Sequence, residues 1–305
     1  MASAIRLGCI GIDSSHLPEF TRRIKALSDA GSTPCKVTQF WSDGQHDWPN
    51  PADIEKWEMD TLSMGVTQAK SLDDMLGSVD GVLVLAVNGN KHKALAMPSL
   101  EKGLPTYIDK PMTCNLTEAQ QLLSLARRSN ARCYSASSLR FITEIAKLDF
   151  AKLGKIAAID VYGAGELLEM MPDLWHYGCH SIEMVDAIFK ASGQGPGVKR
   201  VSAIKFEDRH LVDYEYHDGR YVRMRLERKG TWSFGATVHG EQAVQQFVVD
   251  FGPVYSRLVE GMVKFFEGRE APVSLRDIVE NVAVMEKGNE SIKKDGAWVN
   301  VPVIE

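Results

Sequence analysis

Three places in the chain carry side chains suited to chemistry. The first is Lys110, held between Asp109 and Pro111 where the apolar run PTYID ends. Proline fixes the turn that follows, so the ammonium has a defined place. Such a group stabilises an oxygen that gains negative charge and keeps it oriented. Asp109 either orients Lys110, contacts a ribose, or simply closes a strand. The second place is WHYGCHSIEMV, where His176 and His180 are four residues apart and, on a helix, share a face with Glu183. An imidazole titrates near neutral pH and suits proton transfer. The bland reading is a pair of packed histidines. The stripe also has metal-ligand types, but Tyr177 stands where H-E-x-x-H has its glutamate and Gly178 loosens the turn, so no metal is expected.

The third place is the opening RLGCIGIDSSHLPEF, an apolar run that ends at Gly11 and leads into a helix. A dinucleotide loop of G-x-G-x-x-G form belongs there, yet its second and third positions are Asp13 and His16. Gly11 still serves the tight turn. Asp13 puts a carboxylate where the backbone should approach a pyrophosphate, and His16 is bulky where helix and strand should close. Against this, Ser14 and Ser15, with Ile12 between them and Gly11, offer donors at a helix N-terminus, which attracts anions by its dipole. His16 is a further candidate for phosphate contact. The other reading is that Asp13 caps the helix and the pocket takes something else.

The elements that must position these groups alternate in the first half. IRLGCI, KVTQFW, VDGVLVLAV, PTYID and ARCYSAS read as strands. Between them, LPEFTRRIKALSDAG has Phe20, Ile24 and Leu27 on one face and Gly31 as a stop. SLDDMLG starts at a capping Ser71, and a helix runs from about Lys91 to Lys102 before Gly103. NLTEAQQLLSLARRSN opens with Asn115 and Glu118 at capping-box spacing. SDGQHDWPNPADIEKWEMDTLSMG reads as a long irregular insert, whose flanking Trp41, Trp48 and Trp57 form a packing cluster or a lid. Strands alternating with helices predict an α/β fold with a doubly wound parallel sheet.

The second half differs. LRFITEIAKLDFAKLG and LWHYGCHSIEMVDAIF read as helices, KIAAIDVYGAG as a strand. Three extended segments follow, VKRVSAIKF, YVRMRLER and SFGATVHG, before a helical end. Val222, Met224 and Leu226 alternate with arginines, as in a sheet with one solvated face. The expected domains are 1–136 and 137–305, divided near Ser137, the second being α+β with an open, mostly antiparallel sheet.

Bulk composition narrows the partners. The chain has 305 residues, 44% hydrophobic and 25% charged, which suits two globular domains. A net charge of −5 without a Lys/Arg block argues against nucleic acid or an anionic membrane as partner. VLVLAV is too short to span a bilayer, and no signal-peptide stretch opens the chain. Five scattered cysteines without a C-x-x-C pair fit reduced thiols and a cytoplasmic location.

VDGVLVLAVNGNKH followed by LEKGLPTYIDKPMT, then SSLRF, then WHYGCHSIEMV, in this order, resembles the glucose–fructose oxidoreductase / inositol dehydrogenase / rhizopine-catabolism (Gfo/Idh/MocA) family. The family's Glu-Lys-Pro is here Asp109-Lys110-Pro111. The resemblance implies a Rossmann-like dinucleotide-binding domain and a second domain for substrate and oligomerisation. It implies an NAD- or NADP-dependent dehydrogenase of sugars, polyols or related hydroxy compounds, assembled as a homodimer or tetramer. Lys110 is then catalytic. His180 is the general base for the hydroxyl proton, and His176, at the place of a family carboxylate, adjusts it. Val87, Asn88 and His92 fall in the loop after the fourth strand, along the nicotinamide. Arg140 of SSLRF matches a cleft arginine that binds cofactor or substrate. Asp43, after the second strand, would hold the adenosine ribose and favour NAD, though it comes later than the usual spacing of roughly 20 residues. The departure in the GIDSSH loop leaves two other uses open. These are an NAD-assisted lyase or glycosidase and a binding or regulatory relative without catalysis.

Overall fold

The computed structural model describes residues 4–304. The chain groups into two compact units. Among the described residues, 4–113, 117–135 and 255–274 form the first, and 114–116, 136–254 and 275–304 the second. The chain passes from the first unit to the second after Ser135. The return of 255–274 to the first unit has no counterpart in the sequence reading.

The first unit holds β1 (Ile5–Ile10), α1 (His16–Asp29), β2 (Cys35–Trp41), α2 (Pro51–Ser63), β3 (Thr67–Gln68), α3 (Leu72–Leu76), β4 (Gly81–Val84), α4 (His92–Glu101) and β5 (Thr106–Ile108). α5 (Leu116–Arg128) and β6 (Cys133–Ser135) follow. Its six-stranded sheet has the order β3-β2-β1-β4-β5-β6 and is parallel throughout. β4, GVLV, is buried at every position, as a sheet covered on both faces requires. The strand order reverses between β1 and β4, and the carboxyl ends there form the crevice where ligands of such sheets bind. Tyr107 of β5 meets Tyr134 of β6, which meets Phe265 of the returning segment, each edge to face. Phe266 lies against Gly81, where a Cβ would come within 2.6 Å of its ring. The returning helix thus belongs to this core.

The expected irregular insert is corrected: Pro51–Ser63 is a thirteen-residue helix. Its start signal is local. The Asn50 side chain accepts from the Ala52 amide, and Pro51 occupies the first turn, where its missing N–H costs nothing. Pro, Asn and Asp crowd this cap, so the stretch reads as a loop.

The second unit adds a 3₁₀ turn (Ser138–Phe141), α6 (Thr143–Lys147), α7 (Phe150–Leu153), β7 (Ile156–Ala164), α8 (Gly178–Ala191), β8 (Val198–Lys205), β9 (Arg209–Tyr216), β10 (Tyr221–Glu227), β11 (Gly235–Gly240) and β12 (Val244–Val248). Helix α9 (Val254–Phe266) carries the chain back to the first unit. α10 (Leu275–Ile292) and β13 (Val299–Asn300) complete the second. Its seven-stranded sheet has the order β12-β11-β7-β10-β9-β8-β13, with β10 and β7 parallel and the other pairs antiparallel. Val222, Met224 and Leu226 of β10 are buried and Arg223 and Arg225 exposed. The sequence reading missed β9 and β12. β9, RHLVDYEY, buries His210 and three alternating apolar or aromatic residues, so its period was masked by charged neighbours. The helix expected over LRFITEIAKLDFAKLG is instead three short turns. Ile142 and Leu148 are extended, and Ser137 and Asp149 restart the chain by accepting from the amides of Leu139 and Lys152. No described helix is long and apolar enough to cross a membrane.

Candidate active site

In the first unit the GIDSSH loop closes around Gly11. Its φ is +93°, and a Cβ there would lie 2.6 Å from the Ala86 backbone nitrogen, so only glycine serves the turn. The Ser15 side chain makes no cap hydrogen bond at the N-terminus of α1, and neither the Ser14 nor the Ser15 amide donates to another group among the described residues. That end of α1 therefore keeps amide donors and a positive dipole for an anion. Ile12 is core.

Asp13 does not cap α1. Its buried carboxylate accepts from the Val87 amide (3.2 Å) and the Asp47 amide (2.9 Å), joining the loops after β1, β4 and β2. The helix start is held instead by Ser14, whose hydroxyl accepts from the His16 amide at 3.2 Å. His16 is turned inward, away from any phosphate. Its Nδ1 is 2.6 Å from Asp109 Oδ2, its Nε2 is 3.3 Å from the Tyr255 hydroxyl, and its ring stacks on Phe20 at 4.6 Å. The third-glycine position has thus become part of the Lys110 neighbourhood.

Asp109 is 2% exposed and also accepts from the Tyr107 hydroxyl at 3.2 Å. Burial alone would push its carboxyl up. The charge and hydrogen bond of His16, with Lys110 and His92 nearby, instead hold it well below the usual carboxylate range. Lys110 follows it at the carboxyl end of the sheet, joined to Pro111 by a cis peptide bond. Burial raises the Tyr255 phenol, and the Lys110 ammonium opposes that rise. Tyr255 comes from α9, and nothing in its local sequence marks it.

The loop after β4 is a network rather than a row of free ligands. Asn88 donates to Asp47 Oδ2 at 3.1 Å and accepts from Asn90. His92 is fully buried, with Nδ1 2.8 Å from the Pro111 oxygen and Nε2 2.7 Å from the Ala86 oxygen. His92 ties the end of β4 to the turn after Lys110 and has no nitrogen left for a cofactor. Asp43 is exposed and accepts from the Gln45 amide at 2.9 Å in a tight local turn. With Gly11, Asp13 and Lys91 it lines a cavity large enough for about one water molecule.

In the second unit His180 lies near the start of α8, whereas His176 precedes the helix, with Tyr177 as the N-cap. The expected helical stripe therefore holds only His180 and Glu183. His180 Nδ1 is 2.7 Å from the Ser137 hydroxyl oxygen. Ser137 is fully buried, and its oxygen already accepts from the Leu139 amide at 3.1 Å. Its proton is then donated to His180, which places the neutral ring's own proton on Nε2. Glu183 accepts from the Ser137 amide at 2.8 Å and so fixes that partner. Tyr177 and Phe234 stand edge-on to the His180 ring at 5.3 and 6.1 Å.

Arg140 departs from its expected role. It is buried, paired with the Asp186 carboxylate, and donates to the Glu183 carbonyl at 3.2 Å. Burial raises the Asp186 carboxyl and Arg140 opposes this, the pattern of a core ion pair. Its guanidinium is committed to the second unit's core, not offered to a cofactor. Among the described residues no group of three His, Cys, Asp or Glu side chains is placed to hold a metal ion.

Residues 8–137 match the model of an oxidoreductase family with an NAD-binding Rossmann fold. No curated protein matches the sequence. The structure is similar to that of GenD2 from gentamicin A biosynthesis in complex with NAD (TM-score 0.81, 15% identity, covering 99% of this chain and 98% of that one). It is similar to an oxidoreductase from Agrobacterium radiobacter in complex with NAD+, L-tartaric acid and magnesium (0.78, 12%, 98% and 99%). It is also similar to scyllo-inositol dehydrogenase from Lactobacillus casei (0.77, 14%, 98% and 98%). At such identities the likeness is one of fold.

Proposed function

We propose that this protein, whose residues 8–137 match the model of an oxidoreductase family with an NAD-binding Rossmann fold, is an NAD(P)-dependent dehydrogenase acting on the CH–OH group of a sugar, polyol or related hydroxy compound. The observation that carries this reading lies in the first unit. Lys110 leaves the carboxyl end of β5 beside an ionised Asp109, in the same sheet whose α1 N-terminus stands open behind Gly11. Ser14 and Ser15 would hold the pyrophosphate through backbone amides and the helix dipole, while the Gly11 amide donates to the Trp41 carbonyl at 2.9 Å and Gly11 shapes the turn. Two of the similar structures hold NAD or NAD+, and one is a scyllo-inositol dehydrogenase, which supports the cofactor and the polyol class.

The bound nicotinamide supplies the hydride acceptor or donor. Lys110, next to the ionised Asp109, would stabilise the reacting oxygen while that oxygen carries negative charge. In the second unit His180, with its proton on Nε2, is the proton donor when a carbonyl is reduced. When an alcohol is oxidised, the ring must first shift its tautomer against Ser137 before Nε2 can accept. Substrate chemistry is tested by offering inositols, aldoses and sugar acids with NAD+ and NADP+ and following reduced nicotinamide by absorbance. Turnover in the wild type and a loss of about 10²–10³ in Lys110→Met are expected. Near-normal turnover in Lys110→Met would sink the mechanism.

A second reading has one observation in its favour. The cavity at the Asp43 end of the loop holds only about one water, as expected of a relative that keeps the fold as a binding module. That reading predicts no dinucleotide binding at all.

A further inference from the structure

The segment after β2 does not lead directly into α2. It crosses the carboxyl edge of the sheet, and Asp47 is its anchor. The Asp47 amide donates to Asp13 Oδ2 at 2.9 Å in the β1 loop. Its carboxylate takes Lys91 Nζ at 2.7 Å and Asn88 Nδ2 at 3.1 Å, both from the segment between β4 and α4. Two loops on opposite sides of the switch point are thus latched together over the loop of Gly11. A carboxylate gathered by an ammonium and an amide donor at that crevice occupies the kind of seat a phosphate oxygen takes. The segment has a joint on either side. Gly44 has a φ of +78°, and Trp48 is held to α2 by its Asp53 hydrogen bond at 2.9 Å and by Trp57.

We propose that Lys91 and Asn88 form a binding site for a phosphate of the dinucleotide, and that Asp47 fills this site until the cofactor displaces it. The proposal rests on the cofactor reading above and adds residues to it, since nothing in the loop pattern points to Lys91. Binding exchanges one anion for another at Lys91. The Asp47 carboxylate moves to solvent, the strap from Gly44 to Trp48 opens, and the crevice under it gains the room it lacks when latched. Net affinity is therefore set by competition between Asp47 and the cofactor for the same donors. The phosphate is either part of the pyrophosphate, common to both nicotinamide cofactors, or the 2′-phosphate of NADP.

The test is calorimetric titration of the folded protein with NAD+ and, separately, NADP+. It uses the wild type, Asp47→Ala, Lys91→Ala and the double variant, with thermal melts confirming that each is folded. Asp47→Ala is expected to bind about 5–20-fold more tightly, because the internal competitor is gone. Lys91→Ala is expected to bind more weakly. In the double variant the gain from removing Asp47 should shrink below about twofold, which mere removal of a nearby negative charge would not produce. Equal effects on both nucleotides assign the pyrophosphate; larger effects on NADP+ assign the 2′-phosphate. Unchanged binding in Asp47→Ala, or the same gain with and without Lys91, overturns the proposal while leaving the cofactor reading intact. Absence of binding to every variant overturns both.

Discussion

Replacing His16 by alanine isolates the contact that turns the loop into part of the Lys110 site. The substitution removes a 2.6 Å charge-assisted hydrogen bond to a carboxylate that is 2% exposed. It also removes a ring stacked on Phe20 at 4.6 Å. Breaking one side of a buried pair costs about 3–5 kcal/mol, because the remaining charge is left desolvated. The stacking adds about 0.5–1.5 kcal/mol, and the Tyr107 hydroxyl that remains on Asp109 offsets a part. A net loss of about 3–5 kcal/mol at pH 7 is expected in urea unfolding. The sign with pH follows from Asp109. A carboxyl held below its unfolded value of about 3.9 stabilises the fold above that value, and the gain is lost as pH falls through the folded value. Without His16, burial dominates and the carboxyl rises, so acid protonates Asp109 in the variant before the wild type. The difference between the two proteins should therefore narrow from pH 7 towards pH 4. His16→Asn, which keeps an N–H where Nδ1 stood, should recover part of the loss. A loss below about 1 kcal/mol, or one that is the same at both pH values, refutes the reasoning.

Arg140→Met should destabilise by about 3–5 kcal/mol by stranding the buried Asp186, while dinucleotide affinity in the folded fraction changes less than threefold; a selective loss of affinity would return Arg140 to the cofactor. Gly11→Ala forces a Cβ to 2.6 Å from the Ala86 nitrogen at positive φ, so dinucleotide affinity should fall at least tenfold, measured by calorimetry; unchanged affinity would show that the loop is not the seat. Ser137→Ala removes the donor to His180 Nδ1, so ¹⁵N spectra should change from a single Nε2-protonated ring to a tautomer mixture; an unchanged spectrum would mean that Ser137 does not set the proton.

The alternation of buried strands and capped helices was legible because each signal is local. Gly31, Ser71 and Gly103 punctuate the first unit as their chemistry dictates, and β10 shows its solvated face in its own arginines. α2 was hidden because its cap is built from loop-forming residues, and β9 because charged residues interrupt its apolar period. Long-range partners were not legible. His16 reads as a defect of a phosphate loop until Asp109, 93 residues away, is seen beside it. Tyr255, 239 residues away, completes that cluster from a helix that sequence order assigns to the other domain. Arg140 shows the converse. The motif SSLRF was recognisable, but whether its guanidinium faces a ligand or Asp186 depends on packing that no local pattern encodes.

The central claim is that the GIDSSH loop still seats a nicotinamide dinucleotide. It is tested most directly by titrating the wild-type protein, stripped of any carried-over nucleotide, with NAD+, NADH, NADP+ and NADPH in a calorimeter. Micromolar binding of one redox pair is predicted, with the Gly11 turn and the open amides of α1 replacing the missing glycines. No heat with any of the four would contradict the account and leave the fold as a scaffold for a different ligand.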